Sequence, residues 1–419
     1  MNREERLINL PSVTWPLVCF VLWVLVTAKM TGGIGFRALG SEIYGGKRYF
    51  FIFAAVLGYF ALSMRPISDP RKQLLYPSLY FVSGISAVLS NVAYALGPAF
   101  YFLFYLFPVE WAMQQATADY VAGMGGFVRV AGLAPGATAV FCFLLLRYGI
   151  TGLLDIKKPW RLALFAITIF TSMFAGFRSS LIFFGVILVV QFFLEGLAKT
   201  KVLPLTLIGL ILGSICILPV LDRLPLSVQR SLSFLPLNVD PMVRRDAEAS
   251  LHWRFEMWQV VSREIPKYLW IGKGYALNPT DVYLSEEAVR RGFYKDYEPS
   301  LLAGDYHNGP LSIIIPFGIL GVVFFIWFSL AAFRVLYANY RFSPSSLQSV
   351  NTFLFTYFIA RWIFHVFFFG AISLDLWAFC GVLGMSVSLN GGMLRALSPF
   401  EVRTETLHLG SAQAEPATS

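Results

Sequence analysis

The side chains most able to do chemistry stand where polar sequence meets apolar runs, and the first of these is His307. It precedes Asn308 and Pro310 at the start of a long apolar run. Asn308 suits an N-cap and Pro310 the first helical turn, which would place His307 at the positive end of a helix dipole. That field disfavours the imidazolium, and a neutral imidazole can accept a proton as a general base. The alternative is a capping or interfacial histidine with no chemical role.

Two arginines could bind phosphate. Arg178 stands in a short connection between two apolar runs and has no acidic neighbour in the sequence. A guanidinium binds phosphate through two parallel hydrogen bonds, so this position suits a lipid-linked phosphate or diphosphate. A snorkelling arginine is the alternative. Arg254 shares a helix face with Trp258, and it could be a second phosphate ligand or form a salt bridge with Glu248 or Glu256.

A third group of ionisable residues stands inside the last two apolar runs. Arg361 and His365 are four residues apart in one run, and Asp375 opens the next. Charged groups within a membrane are costly and usually pair with one another. We therefore predict a buried polar network of these three side chains, which is either structural or part of a site.

The sequence lacks the motifs of several common phosphate-binding, metal-binding and nucleophilic sites. The sequence contains no glycine-rich phosphate loop, no Cys-x-x-Cys or His-Glu-x-x-His pattern and no Gly-x-Ser-x-Gly turn. The acidic residues of the polar segment 221–306 do not form a compact pair suited to a metal-bound sugar nucleotide. We therefore expect no metal, no cofactor and no nucleotide donor.

The elements that must position these residues are membrane helices. Of the 419 residues, 57% are hydrophobic and 14% are charged, whereas soluble proteins carry about 25% charge, so a soluble globular protein is excluded. We predict an all-α polytopic membrane protein with about 10 to 12 transmembrane helices and one large structured loop. The apolar runs lie at 12–28, 49–64, 74–107, 132–149, 160–176, 179–195, 202–220, 308–333, 349–369 and 372–390.

Two apolar stretches leave the helix count open. The run 74–107 is long enough for two crossings, with Ser90-Asn91 as the turn between them. The weaker stretch 109–128 is either another crossing or an interfacial segment. Near Met1 there is no signal-peptide pattern, so we expect the first apolar run to be a retained helix.

The distribution of Lys and Arg predicts the orientation. Most of these residues outside the segment 221–306 fall in connections on one side of the membrane, which the positive-inside rule makes the cytoplasmic side. Both termini are then cytoplasmic and the segment 221–306 is periplasmic. The net charge of +9 is therefore mainly an orientation signal, and we expect no nucleic-acid partner.

The polar loop divides the chain into four parts. We predict N-terminal transmembrane helices over 1–220, the large loop over 221–306, C-terminal transmembrane helices over 307–392 and a disordered cytoplasmic tail over 393–419. Within the loop, apolar residues at helical spacing predict an amphipathic helix at about 248–264, which could rest on the membrane surface.

These motifs, in this order around one large loop, resemble the O-antigen ligase family of bacterial membrane glycosyltransferases. Two positions depart from the usual pattern: Phe177 replaces a Ser, and Gly309-Pro310 replaces a bulkier pair. The segments that carry the resemblance are Arg129-Val-Ala-Gly132, Phe177-Arg178-Ser179, Arg254-x-x-x-Trp258, Leu269-Trp-Ile-Gly272-Lys-Gly274-Tyr, His307-Asn308-x-x-Leu311 and Phe317-Gly318-Ile-Leu-Gly321.

The resemblance implies an enzyme of the bacterial inner membrane. Such an enzyme moves a glycan from an undecaprenyl diphosphate carrier to an acceptor hydroxyl, here that of lipid A-core or another glycan, with inversion and without metal. By the resemblance, His307 is the catalytic base, and Arg178 and Arg254 bind the diphosphate. Arg129, Trp258 and Asn308 lie in the matching segments and are candidates for supporting roles. Arg361 and His365, from the network predicted above and not from the resemblance, are further candidates.

Other functions remain open at this point. A polymerase of polysaccharide repeat units uses the same carrier, and a protein O-oligosaccharyltransferase transfers glycans to a protein hydroxyl. A single large loop favours a ligase over a polymerase. A membrane transporter is the alternative from another class. Against it, the sequence shows no clear inverted repeat and no matched pair of broken helices.

Overall fold

The computed structural model describes residues 8–395 except 36–42, 44, 108, 110–129, 236 and 296. Its regular elements in this part are helices, which confirms the predicted all-α polytopic class. Six helices are long and apolar enough to cross a membrane, and two shorter ones are also apolar. The predicted count of crossings stays a prediction. The stretch 109–128 and the tail lie almost wholly outside the described residues.

The main helices are numbered here in chain order. They are α1 (Pro11–Thr31), α2 (Gly46–Ser63), α3 (Pro70–Leu96), α4 (Leu133–Leu153), α5 (Pro159–Met173), α6 (Arg178–Leu194), α7 (Val202–Ile217), α8 (Leu226–Leu232), α9 (Pro241–Tyr268), α10 (Pro279–Arg290), α11 (Glu298–Ala303), α12 (Gly309–Arg341), α13 (Gln348–Phe367) and α14 (Ile372–Asn390).

Helix α3 differs from the sequence prediction at one point, the position of a turn. The turn predicted at Ser90-Asn91 is wrong, because both residues are buried inside a helical run that ends only at Gly97. The Asn91 side chain accepts a hydrogen bond from the Gly132 amide, so the polar pair serves a contact between helices. The chain turns instead at Gly97, which has a φ of 86° and is followed by Pro98. A Gly-Pro pair is the stronger turn signal.

Helix α12 is broken at Gly318, whose φ of 63° and ψ of −164° are not helical. Pro316 already lacks an amide hydrogen, so the break frees several backbone groups in an apolar region. The freed groups form these hydrogen bonds: Lys273 N to Ile315 O (2.7 Å), Gly274 N to Pro316 O (3.0 Å), Trp23 Nε1 to Phe317 O (2.6 Å) and Ile319 N to Leu269 O (2.6 Å). The turn after α9 therefore completes the hydrogen bonding of α12.

A second break lies in α4 at Gly149, where φ is 62°. The Glu195 carboxylate accepts the freed amide of Ile150 at 2.9 Å. The sequence did not predict either break. The α4 break separates only the last turn, whereas the α12 break divides 309–317 from a segment about 35 Å long. The two breaks thus differ in position and do not form the matched pair typical of transporters.

The large loop contains a long helix that packs on α12. The predicted helix at 248–264 is present and extends over Pro241–Tyr268, with Asp240 accepting from the Met242 amide at 2.7 Å. Its buried side chains Met257 and Val261 pack in one cluster with Tyr306 and Ile315. The apolar face of α9 is therefore covered by the start of α12 and the segment before it.

We predict that Gly272→Ala destabilises the protein. Gly272 has a φ of 89°, and an added methyl group would overlap the Pro316 carbonyl oxygen, so the turn could not reach α12. The strain alone should cost about 1–3 kcal/mol. Thermal unfolding in detergent, followed by circular dichroism, should show a lower Tm. Gly185→Ala is the matched control, because nothing lies near its added methyl group. An equal Tm for both variants would contradict the role given to this turn.

Candidate functional site

His307 stands in an unusual backbone conformation. Its φ is 49°, the one positive value at a non-glycine residue in the described part of the chain. Asn308 follows as the N-cap of α12, and its side chain accepts from the Leu311 amide at 3.0 Å, as predicted. A left-handed residue persists only where its surroundings hold it. The interactions around His307 therefore determine its orientation.

The His307 side chain is partly enclosed by aromatic rings. It is 22% exposed, and its ring centroid lies 5.3 Å from that of Trp253 and 5.0 Å from that of Phe369. Burial lowers the pKa of His307, Arg254 lowers it further, and Asp305 opposes both. The Nδ1 atom lies 3.7 Å from the Asp305 carboxylate and forms no hydrogen bond with the described residues. The neutral imidazole is thus favoured.

Trp258 fixes the backbone just before His307. Its indole Nε1 donates a hydrogen bond of 2.7 Å to the carbonyl oxygen of Tyr306. Tyr306 itself is buried in the cluster between α9 and α12. Trp258 therefore acts as a positioning residue, and the large loop holds His307 through this bond.

Arg254 does not form the salt bridge that its sequence neighbours offer. Among the described residues Glu256 instead lies near His252, at 3.6 Å, and Lys295, at 3.8 Å. No ion pair joins Arg254 to Glu256 or Glu248 in this part of the chain, and the buried Nε of Arg254 has no hydrogen-bond partner there. The interpretation of Arg254 as a salt-bridge residue is therefore wrong.

The environment of Arg254 is poor in negative charge. Its guanidinium lies 5.9 Å from the ring centroid of Phe369, which also contacts His307. Burial lowers the pKa of Arg254, Arg178 and Arg230 lower it further, and Asp305 opposes them. Arg230 is paired with Asp246, whereas Arg178 and Arg254 form no ion pair with the described residues. Two partly desolvated guanidinium groups without ion pairs suit an anion.

Arg178 begins α6 and is bound to the large loop. Its Nη2 donates to the Ala247 carbonyl oxygen of α9 at 3.1 Å. Phe177, which stands at the N-cap, provides no side-chain cap. The structure therefore brings Arg178 into the region of Arg254, although the two are far apart in the sequence. Arg129, the remaining arginine of the predicted set, lies outside the described residues.

The sequence did not reveal Arg230. This arginine of α8 is 6% exposed and donates to the Asp246 carboxylate and to the Gly176 carbonyl oxygen. It therefore supports the turn that leads into Arg178. Its acidic partner is not at helical spacing, so no local pattern indicated the pair. In the sequence, Arg230 stands out only as the one charged residue of the segment Leu226–Leu232.

The structure contains the predicted network of Arg361, His365 and Asp375. The Asp375 carboxylate, 1% exposed, accepts from Arg361 Nη2 and lies 2.5 Å from His365 Nδ1. It also accepts from the Ala371 amide at 2.9 Å. The other edge of the His365 ring contacts Gly309, where an added methyl group would overlap it. The network therefore packs against the first turn of α12, beside His307.

No cluster of three or more His, Cys, Asp or Glu side chains with metal-binding geometry is found among the residues that the structure describes. The site there consists of a histidine, arginines and aromatic rings.

Residues 163–326 match the protein-family model described as O-Antigen ligase. This match supports an O-antigen ligase family assignment. It confirms the resemblance found in the sequence and covers Arg178, Arg254, Trp258 and His307. The O-antigen ligase family points to a glycosyltransferase-like membrane enzyme that acts on glycan-linked substrates. A comparison with curated proteins gives no match.

We predict that Asp305→Asn lowers the pKa of His307 further. The Asp305 carboxylate stabilises the imidazolium, so a neutral amide should shift the titration midpoint to lower pH. The chain has four histidines, which ¹³C labelling and NMR can resolve in detergent. In the unaltered protein the His307 midpoint should lie below the ordinary 6.5. The signal of exposed His252 serves as the control. A midpoint that rose in the variant would show that Asp305 does not act on His307.

Proposed function

We propose that the protein transfers a glycan from undecaprenyl diphosphate to a hydroxyl group of lipid A-core. The observation that carries this proposal is a histidine with a lowered pKa beside Arg254, which forms no ion pair in the described part of the chain and whose buried Nε has no hydrogen-bond partner there. A neutral imidazole can take the proton of a hydroxyl group, and the arginines can hold a diphosphate. The family assignment supports the combination.

The proposed reaction combines proton acceptance by His307 with binding of the diphosphate by the arginines. The acceptor hydroxyl attacks the anomeric carbon of the glycan while His307 accepts its proton. The bond between that carbon and the diphosphate oxygen breaks, and undecaprenyl diphosphate leaves with the electron pair. Attack opposite the leaving group inverts the anomeric configuration. Arg178 and Arg254 stabilise the charge that develops on the diphosphate, so positioning and electrostatics supply the catalysis.

The proposed orientation places the site on the periplasmic side of the bacterial inner membrane. The segment 221–306 and His307 would face the periplasm, and both termini the cytoplasm. The distribution of Lys and Arg along the chain supports this orientation. The Trp258 hydrogen bond to the Tyr306 carbonyl oxygen supports treating the loop as part of the site.

Deletion of the gene in a Gram-negative host that carries it tests the function. Ligase function predicts that carrier-linked polymer accumulates while lipopolysaccharide remains uncapped on a gel. Single repeat units in place of ladders would indicate a polymerase, and loss of glycan from proteins alone would indicate a protein O-oligosaccharyltransferase. Unchanged glycans would contradict all three and favour a transporter of other cargo.

We predict that His307→Ala abolishes transfer. A general base contributes about 10²–10⁴ in rate, so the rate constant should fall by at least 100-fold while the protein remains folded. The measurement is glycan transfer by purified protein with lipid-linked donor and rough lipopolysaccharide. His252→Ala is the control, because His252 is an exposed residue of α9. Near-normal transfer by the His307 variant would exclude it as the base.

We predict that Arg254→Lys lowers kcat by about 10- to 100-fold. Lysine keeps the charge but loses the planar pair of donors that fits a diphosphate. Arg245→Lys is the control, since Arg245 is an exposed residue of the same helix. Equal kcat values for the two variants would show that Arg254 does not bind the leaving group.

A further inference from the structure

The turn after α9, residues 269–274, leaves apolar side chains exposed. Trp270 is 73% exposed and Ile271 is 38% exposed. Large apolar side chains that stay exposed together often mark a contact surface for a partner or a membrane. The pattern of α9 suggested a helix on the membrane surface, but Met257 and Val261 on its apolar face pack in one cluster with the start of α12. The turn, not that face, is therefore the candidate for membrane contact.

The turn lies beside two membrane helices rather than beyond their ends. A hydrogen bond from Trp23 Nε1 to Phe317 O joins α1 to α12. Trp23 is eight residues before the end of α1, and Phe317 is eight residues after the start of α12. Both contacts are thus about 12 Å inside the helix ends. The Ile271 carbonyl oxygen accepts from Thr27 Oγ1 at 3.2 Å, about 6 Å inside the end of α1.

The two helices expose apolar side chains at the level of the turn. Val26, beside Thr27 on α1, and Leu320, just after the break of α12, are both exposed. Both helices are long and apolar enough to cross a membrane, so apolar side chains on their outer faces contact lipid. Trp270 and Ile271 add to the apolar surface that the helices present at this level.

The backbone of the turn is suited to a place where water is scarce. Polar backbone groups near the membrane interior must be hydrogen bonded within the protein, and Thr27 provides one such bond from α1. Further bonds of the turn run from Ile319 N to Leu269 O, Gly272 N to Tyr268 O, Lys273 N to Ile315 O and Gly274 N to Pro316 O. The turn can therefore approach lipid without leaving these groups unpaired.

The sequence around the turn has the composition of a membrane interface. Aromatic residues are enriched where acyl chains meet headgroups, and lysines can extend their charged ends to the headgroups while their stems stay in apolar surroundings. Both features occur in the segment Lys267-Tyr268-Leu269-Trp270-Ile271-Gly272-Lys273. Lys267 is exposed and Lys273 is partly exposed, so neither ammonium is confined to the interior of the protein.

We propose that the turn 269–274 is inserted into the lipid bilayer, at the boundary of headgroups and acyl chains on the side of the large loop. Trp270 and Ile271 contact the acyl chains, and the flanking lysines face the headgroups. The turn also completes the hydrogen bonding of α12, so this lipid contact fixes the end of α9 at the membrane. The inference does not depend on the proposed transfer reaction.

Fluorine NMR in lipid nanodiscs tests the insertion. The protein is labelled with 5-fluorotryptophan at its ten tryptophans, and the Trp270 signal is the one lost in Trp270→Phe. Dissolved oxygen, which concentrates in lipid, and a gadolinium chelate, which stays in water, each increase the relaxation rate of exposed fluorine nuclei. Trp327, an exposed residue of α12, calibrates lipid contact after assignment by Trp327→Phe, and free 5-fluorotryptophan calibrates water.

The ratio of the oxygen effect to the gadolinium effect identifies what surrounds Trp270. Insertion predicts a ratio nearer to that of Trp327 than to that of the free amino acid. A ratio equal to that of the free amino acid would place Trp270 in water and overturn the proposal. Weak effects of both reagents would mean that protein covers the side chain, from this chain or a second copy, and would overturn it as well.

A charged substitution gives a second, independent measurement. Trp270→Glu should lower the Tm in nanodiscs relative to Trp270→Phe, because a carboxylate is disfavoured near acyl chains. Tyr283→Glu is the matched control, since Tyr283 is an exposed aromatic residue of α10, and its Tm should not change. Equal Tm values for Trp270→Glu and Trp270→Phe would contradict the insertion.

Discussion

The site depends on one backbone constraint, the break of α12 at Gly318. In an apolar surrounding, each unsatisfied amide or carbonyl costs several kcal/mol, so the freed groups need partners from outside the helix. The turn 269–274 provides most of them. That requirement fixes the end of α9 against α12, and with it the face of α9 that carries Arg254 and Trp258. The orientation of His307 then follows from the Trp258 bond to the preceding carbonyl.

The electrostatics of the site follow from the same arrangement. Docking α9 on α12 buries Arg254 in part and brings it near Arg178 and Arg230, so its surroundings favour added negative charge. Burial beside Arg254 also disfavours a charged imidazole at His307. One packing contact thus lowers the pKa of His307 and leaves Arg254 partly buried without an ion pair in the described part of the chain. Asp305 moderates both effects without removing either.

The sequence indicated individual candidate residues, but it did not indicate the contacts between residues on different helices. His307 with its N-cap, the two arginines and the loop helix were visible, because a helix start and an apolar periodicity are local signals. The Arg230–Asp246 pair was not, since its partners lie on different helices. The role of Gly318 was likewise hidden: a glycine in an apolar run is common, and only the structure shows which amides bond to the broken helix. The turn predicted at Ser90-Asn91 is wrong because the Asn91 side chain is satisfied by the Gly132 amide at the start of α4, a contact that no local sequence pattern indicates.

The unusual Gly309-Pro310 pair is explained by the buried network. The His365 ring is held by Asp375, and its free edge lies against Gly309, where any side chain would overlap the ring or the His365 carbonyl oxygen. Glycine therefore lets α13 approach the first turn of α12. Pro310 adds a fixed φ to that turn. Gly309 thus has a physical reason in this chain, because the close approach of His365 to the backbone of α12 leaves no room for a side chain next to His307.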